Sequence, residues 1–110
     1  MATGTCKKPY ATKALNITSE FGNISQNQSF ISGDLIYVDF MLTLTTAITS
    51  NWSVYAAIDV PLINGTSVKP IIETGGTNFQ LSSNGNETVI TRYALAAVGD
   101  TFRVVCILHK

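Results

Sequence analysis

"DLIYVDFMLTLTTAI", residues 34–48, decides the fold. Ile36, Val38, Phe40, Leu42 and Leu44 are apolar at every second position. The residues between them, Tyr37, Asp39, Met41, Thr43 and Thr45, are mixed. Period-two alternation marks a strand that lays one face on a core. Tyr37 and Met41 are large for a face that meets only water. The stretch therefore predicts a strand with core on one side and a further cover on the other.

The end of the chain repeats the pattern. Phe102, Val104, Cys106 and Leu108 make one apolar face of a strand over 101–109. Val105 and Ile107 stand on the other face, between Arg103 and His109. A strand with apolar residues on both faces is covered on both sides. In a two-layer sandwich one cover is core, and a neighbouring subunit is a candidate for the second.

Working outward, further strands are expected from Leu15 to Phe21, over 54–62, over Val68 to Glu73, over Asn78 to Ser82 and over 88–97. In the strand over 54–62, Val54, Ala56, Ile58 and Val60 are expected inward, and Pro61 stops it. Residues 22–29 read as a loop, and 49–53 as a turn. Asn64-Gly65 and Asn84-Gly85 are two-residue hairpin signals. Pro70 places its strand at an edge or a bulge. Residues 1–13 are polar and read as an arm, followed by one domain over 14–110. No window has a helical period, and turn signals recur every eight to fifteen residues. The expected fold is all-β: an antiparallel β-sandwich, jelly-roll-like.

Composition narrows the function. Apolar residues make up 45% of the 110, and charged residues only 13%, against a usual charged fraction of about 25%. Seven basic and seven acidic residues cancel, so binding nucleic acid through phosphates is not expected. No run of about 18 apolar residues is present, so no membrane insertion is expected. The N-terminus lacks the apolar stretch of a signal peptide. That suits a chain used where it is made, or one whose leader has been removed. Cys6 and Cys106 leave two readings open: a disulfide between the first and last strands, or free thiols with one in the core.

Chemistry is sparse. His109 is the one histidine, which leaves a catalytic triad or a histidine metal site without parts. "TGGT" (74–77) is too short for a phosphate loop. Asp39 and Asp59 would approach only if their strands pair, and the alternative is that they face solvent or meet Arg92 or Arg103. No enzyme, cofactor or metal is expected. Six of the eight asparagines, 16, 23, 27, 51, 64 and 86, stand in Asn-x-Ser/Thr triplets, where composition alone gives roughly 1.7. Glycans would explain the excess, and so would a chain rich in Thr- and Asn-bearing turns.

Trp52, the sole tryptophan, lies in the turn "SNWSVY" (50–55). A loop aromatic flanked by Asn51, Ser53 and Tyr55 can stack on a sugar face while its polar neighbours bind hydroxyls. Alternatively the indole folds back over the sandwich end or against a subunit. Tyr93 reads as core or interface.

Taken together, "LNITSEFGNIS", "GDLIYVDFMLTLTTAITSNWSVYAAIDVPL" and "TNFQLSSNGNETVITRYALAAVGDTFRVVCILHK" resemble the small jelly-roll C-terminal modules of bacteriophage tail-fibre, baseplate and head-fibre proteins. The likeness covers most of residues 14–110. It implies a homotrimeric virion protein that contacts other virion proteins and binds a host-surface glycan or protein. Asn51, Trp52, Ser53 and Tyr55 would form the ligand site, near loops 64–67 and 83–87. Tyr37, Met41, Val105 and Ile107 would face a neighbour about a three-fold axis. Other readings are a head-decoration or head-fibre protein docked by residues 1–13, and a secreted trimer of the complement and tumour-necrosis-factor type. A further one is a polysaccharide hydrolase using Asp39, Asp59 and Glu73.

Overall fold

The alternation of the opening stretch is realised in a computed structural model that describes residues 12–61 and 68–109. The described strands are β1 (Thr12–Ala14), β2 (Ile17–Thr18), β3 (Gly22–Ser25), β4 (Phe30–Ser32), β5 (Leu35–Leu44), β6 (Ser53–Ile58), β7 (Ile72–Thr74), β8 (Phe79–Ser83), β9 (Thr88–Arg92) and β10 (Thr101–His109). They form two antiparallel sheets. The larger runs β1-β4-β5-β10-β7, with β3 also on β5, and the smaller runs β2-β6-β9-β8. The fold is an all-β sandwich.

Its winding is that of one long hairpin rolled over. β5 pairs β10 along its whole length, from Leu35↔His109 to Thr43↔Thr101. β6 pairs β9 in the other sheet. Between them the two chain segments bend together, and Ile48 and Ala96 exchange both backbone hydrogen bonds at the corner, at 2.9 and 3.1 Å. The same two chain segments thus contribute to both layers. Ile36, Val38, Phe40, Leu42 and Leu44 of β5 pack with Phe102, Val104, Cys106 and Leu108 of β10 against Ile58, Leu81 and Ile90. Both inward faces read from alternation are the core.

The sandwich closes on both flanks because short segments change sheets. Residues 12–18 pass from β1 in the large sheet to β2 in the small one. Residues 68–74 do the reverse: Val68 bridges Leu81 at the edge of β8, and Ile72 then pairs Val105. Pro70 stands between these two bridges. It marks the crossing, as its missing donor requires.

Three departures from the sequence reading have local causes. Residues 22–25 are a strand, β3, rather than loop: they pair with the second half of β5 while β4 pairs with the first. The gap between them falls at Asp39, whose backbone N–H donates to Ser29 Oγ at 2.8 Å and whose carbonyl accepts from Gln28 N at 2.8 Å. A side chain and a loop amide thus complete the ladder. Residues 12 and 13, read as arm, are strand β1 on β4. In β6 a bulge falls between Val54 and Ala56. The extra residue sends Tyr55 into the core and Val54 out to solvent.

The core has a cation at one end. Tyr55, Phe79 and Phe102 meet edge to face in all three pairings, with centroids 5.4–5.6 Å apart. The Arg92 guanidinium carbon lies 5.2–5.6 Å from all three centroids. Its Nε donates to Thr77 O at 2.9 Å and its NH1 to Tyr55 Oη at 3.1 Å. Cys106 is a buried free thiol whose pKa is pushed up by burial. Cys6, residues 1–11 and the Asn64-Gly65 turn lie outside the described residues. So does the loop 64–67.

Candidate binding corner and sheet faces

The rolled corner carries the exposed aromatics. Ser53 pairs Arg92 at the end of β6 and β9, so Trp52 and Tyr93 are the next residues along. Their rings stand 5.0 Å apart at 47°. Trp52 is 55% and Tyr93 54% exposed, and Leu95 and Val98 of the same corner are exposed too. Trp52 has φ +59°. The left-handed region costs a bulky residue about 1–2 kcal/mol. The turn is tied by Ser53 Oγ donating to Ser50 O at 2.7 Å. The indole is exposed beside Tyr93 rather than buried.

Of the residues expected around a ligand, the structure brings Asn51, Trp52 and Ser53 together on this turn. Tyr55 is a correction. The bulge turns it inward to zero exposure, and its hydroxyl donates to Ala94 O at 2.8 Å. It supports the corner from below. Tyr93, read as core or interface, takes its place beside Trp52 on the surface. Strict alternation points to Val54 inward, so the sequence held no sign of this exchange.

The outer face of the large sheet is the second candidate surface. Leu35, Tyr37, Asp39, Met41 and Thr43 of β5 alternate onto it, beside His109, Ile107, Val105, Arg103 and Thr101 of β10. Leu35, Ile107 and Ile72 are exposed, and Tyr37 and Met41 half-buried. Val105 is a second correction. It is in register with both Asp39 and Ile72 and only 4% exposed, so its own chain already covers it. The face carries an ion pair. Arg103 donates from Nε and NH2 to the two Asp39 oxygens at 3.2 and 3.1 Å, and Tyr37 Oη donates to Asp39 Oδ2 at 2.8 Å. These donors hold the Asp39 carboxyl below its ordinary value, Arg103 most, against the opposing effect of burial. The Tyr37 phenol is raised, chiefly by its bond to that carboxylate.

Asp39 and Asp59 do not meet, because β5 and the end of β6 lie in different sheets. Glu73 is engaged elsewhere, accepting from Phe79 N at 2.9 Å. Among the described residues no three His, Cys, Asp or Glu side chains gather into a metal site. The asparagine triplets are not equivalent. Asn27 donates to Leu15 O at 2.8 Å and accepts from Ser29 N at 3.0 Å, so its amide is part of the fold.

No protein-family model matches the chain, and no curated protein or solved structure matches it.

Proposed function

We propose that this chain is a bacteriophage virion protein, a fibre- or baseplate-type module that works as a homotrimer and binds a host-surface glycan at the rolled corner. The observation that carries this reading is Trp52. A lone tryptophan held in left-handed backbone, exposed and stacked beside an exposed tyrosine, is a costly arrangement that packing does not require. Such a pair offers a flat apolar platform to the C–H face of a sugar ring. Three copies on one particle would convert weak single-site binding into firm attachment. The outer face of the large sheet, with Leu35, Ile107 and Ile72 exposed around its ion pair, would offer a surface to the neighbouring copies.

The test is attachment of the purified chain to a panel of bacterial strains. Trp52→Ala should lower attachment at least ten-fold and leave the melting temperature within a few degrees of the parent, because more than half of the residue is exposed. Full attachment by the variant would remove the corner from the site. A chain that attaches to no strain would count against the reading as a whole.

A further inference from the structure

The corner continues into a groove on the outer face of the small sheet. Tyr93, Thr91 and Val89 alternate onto that face, and the bulge brings Val54 to the same side. Val54, Ala57 and Val89 line a shallow groove of about 250 Å³, together with Glu20, Glu87 and Asn84. From Val89 to Tyr93 the strand rises roughly 13 Å at about 3.3 Å per residue. The platform and the groove are therefore one elongated surface, long enough for several linked sugar rings.

The groove's chemistry is one-sided. Its apolar part is short side chains, Val54, Ala57 and Val89, which leave room for a ring face. Its polar part is two carboxylates, an amide and the Thr18 hydroxyl, and among the described residues no basic side chain lines it. The loop that presents Glu87 is fixed: Asn84 Oδ1 accepts from the amides of Asn86 and Glu87 at 3.1 and 2.9 Å, and Asn84 Nδ2 approaches Glu87 Oε1 at 3.4 Å. Carboxylates accept hydrogen bonds from hydroxyls and attract ammonium groups. They repel carboxylated or sulfated rings, by roughly ten-fold in affinity at low salt for charges a few ångströms apart.

We infer that the groove and the Trp52–Tyr93 platform together bind an oligosaccharide of uncharged or amino-bearing sugars and exclude acidic ones. This rests on the glycan-binding reading and gives the ligand its chemical class.

The experiment is a glycan array of neutral, amino-bearing and acidic oligosaccharides, probed with the parent chain, Glu20→Gln/Glu87→Gln and Ala57→Leu. Binding is expected in the neutral and amino classes only. The double glutamine variant should lose the preference for amino over neutral sugars, several-fold at low salt, and keep neutral binding. Leucine at 57 fills the groove and should weaken both classes at least ten-fold. Thermal melts establish that each variant is folded. Hits confined to acidic glycans would overturn the inference and leave a receptor-binding module standing. So would an array without hits from a chain that still attaches to cells through Trp52. A chain that binds neither the array nor any strain would overturn both proposals.

Discussion

Arg92 gathers three aromatic rings from both sheets under one planar cation, and donates to Thr77 and Tyr55 at its edges. The site needs a flat guanidinium with directed N–H groups, which lysine lacks. Arg92→Ala should cost about 2–3 kcal/mol in denaturant unfolding, and Arg92→Lys should recover less than half of that. Gly76 belongs to the same arrangement. A Cβ there would fall 2.8 Å from the guanidinium carbon and 2.9 Å from Phe102. Gly76→Ala should destabilise too, and less in the Arg92→Ala background, where the guanidinium is gone. Asp39 gives a pH dependence. Its carboxyl titrates lower in the folded chain than in the unfolded one, chiefly because Arg103 donates to it. The stabilisation is full above the unfolded value near 4 and is lost as pH falls through the folded value. Unfolding followed from pH 6 to pH 2 should show this loss, and Asp39→Asn should flatten that part of the profile. At this scale the sequence was informative only in part. Arg103 stood among the partners considered for Asp39, since both carry charge on mixed strand faces. That Arg92 belongs over the core was not legible, because its ring partners come from three separate strands.

The element that shapes the corner is the bulge in β6. One extra residue leaves the Tyr55 carbonyl outside the regular ladder, and Ser19 Oγ donates to it at 2.6 Å. The Tyr55 hydroxyl is in turn bonded to Ala94 O and Arg92. Ser19→Ala should therefore cost about 1 kcal/mol, and Tyr55→Phe about 1–2 kcal/mol, since each removes hydrogen bonds to part-buried polar groups. Both should also loosen the turn that presents Trp52, which fluorescence of the single tryptophan would read directly as a red shift or broader anisotropy decay. Of the strands with clean alternation, 101–109 coincides with β10, while the strand expected over 35–48 starts at Leu35 as β5 but ends at Leu44, where the chain bends toward the other sheet. β3 was not legible in the sequence, because Gly22, Asn23 and Ser25 have turn composition and are strand only through their partners on β5. The bulge was not either. Alternation is a rule about regular pleats, and a single inserted residue inverts its prediction for Val54 and Tyr55 alike.

For the whole molecule the question is what meets the outer face of the large sheet. Its edges are already guarded: β1, β3 and β7 are three to four residues long, and the segments that carry β1 and β7 turn away into the other sheet. Short edges of that kind discourage open-ended strand addition. The face itself is different. Its six strands hold 32 residues, which at about 3.3 Å by 4.8 Å each give roughly 500 Å² of plane. Pleating and side chains enlarge it toward the roughly 800 Å² per partner of a stable interface. Its Asp39–Arg103 charges neutralise each other, so two copies of the face bring no net repulsion. Leu35, Ile107 and Ile72 stand exposed around that pair, and Val105 beneath them contributes nothing to a partner. Light scattering of the pure chain should give three times the chain mass. Ile107→Glu should reduce it to one and leave the melting transition of the isolated chain nearly unchanged, since Ile107 is half-exposed. Val105→Ala should destabilise folding and leave association intact, the opposite signature. A twofold mass abolished by the same Ile107 substitution would keep the face as the interface and replace the three-fold axis by a two-fold one. A monomer in the parent chain would remove self-association, and with it the avidity on which the attachment reading depends.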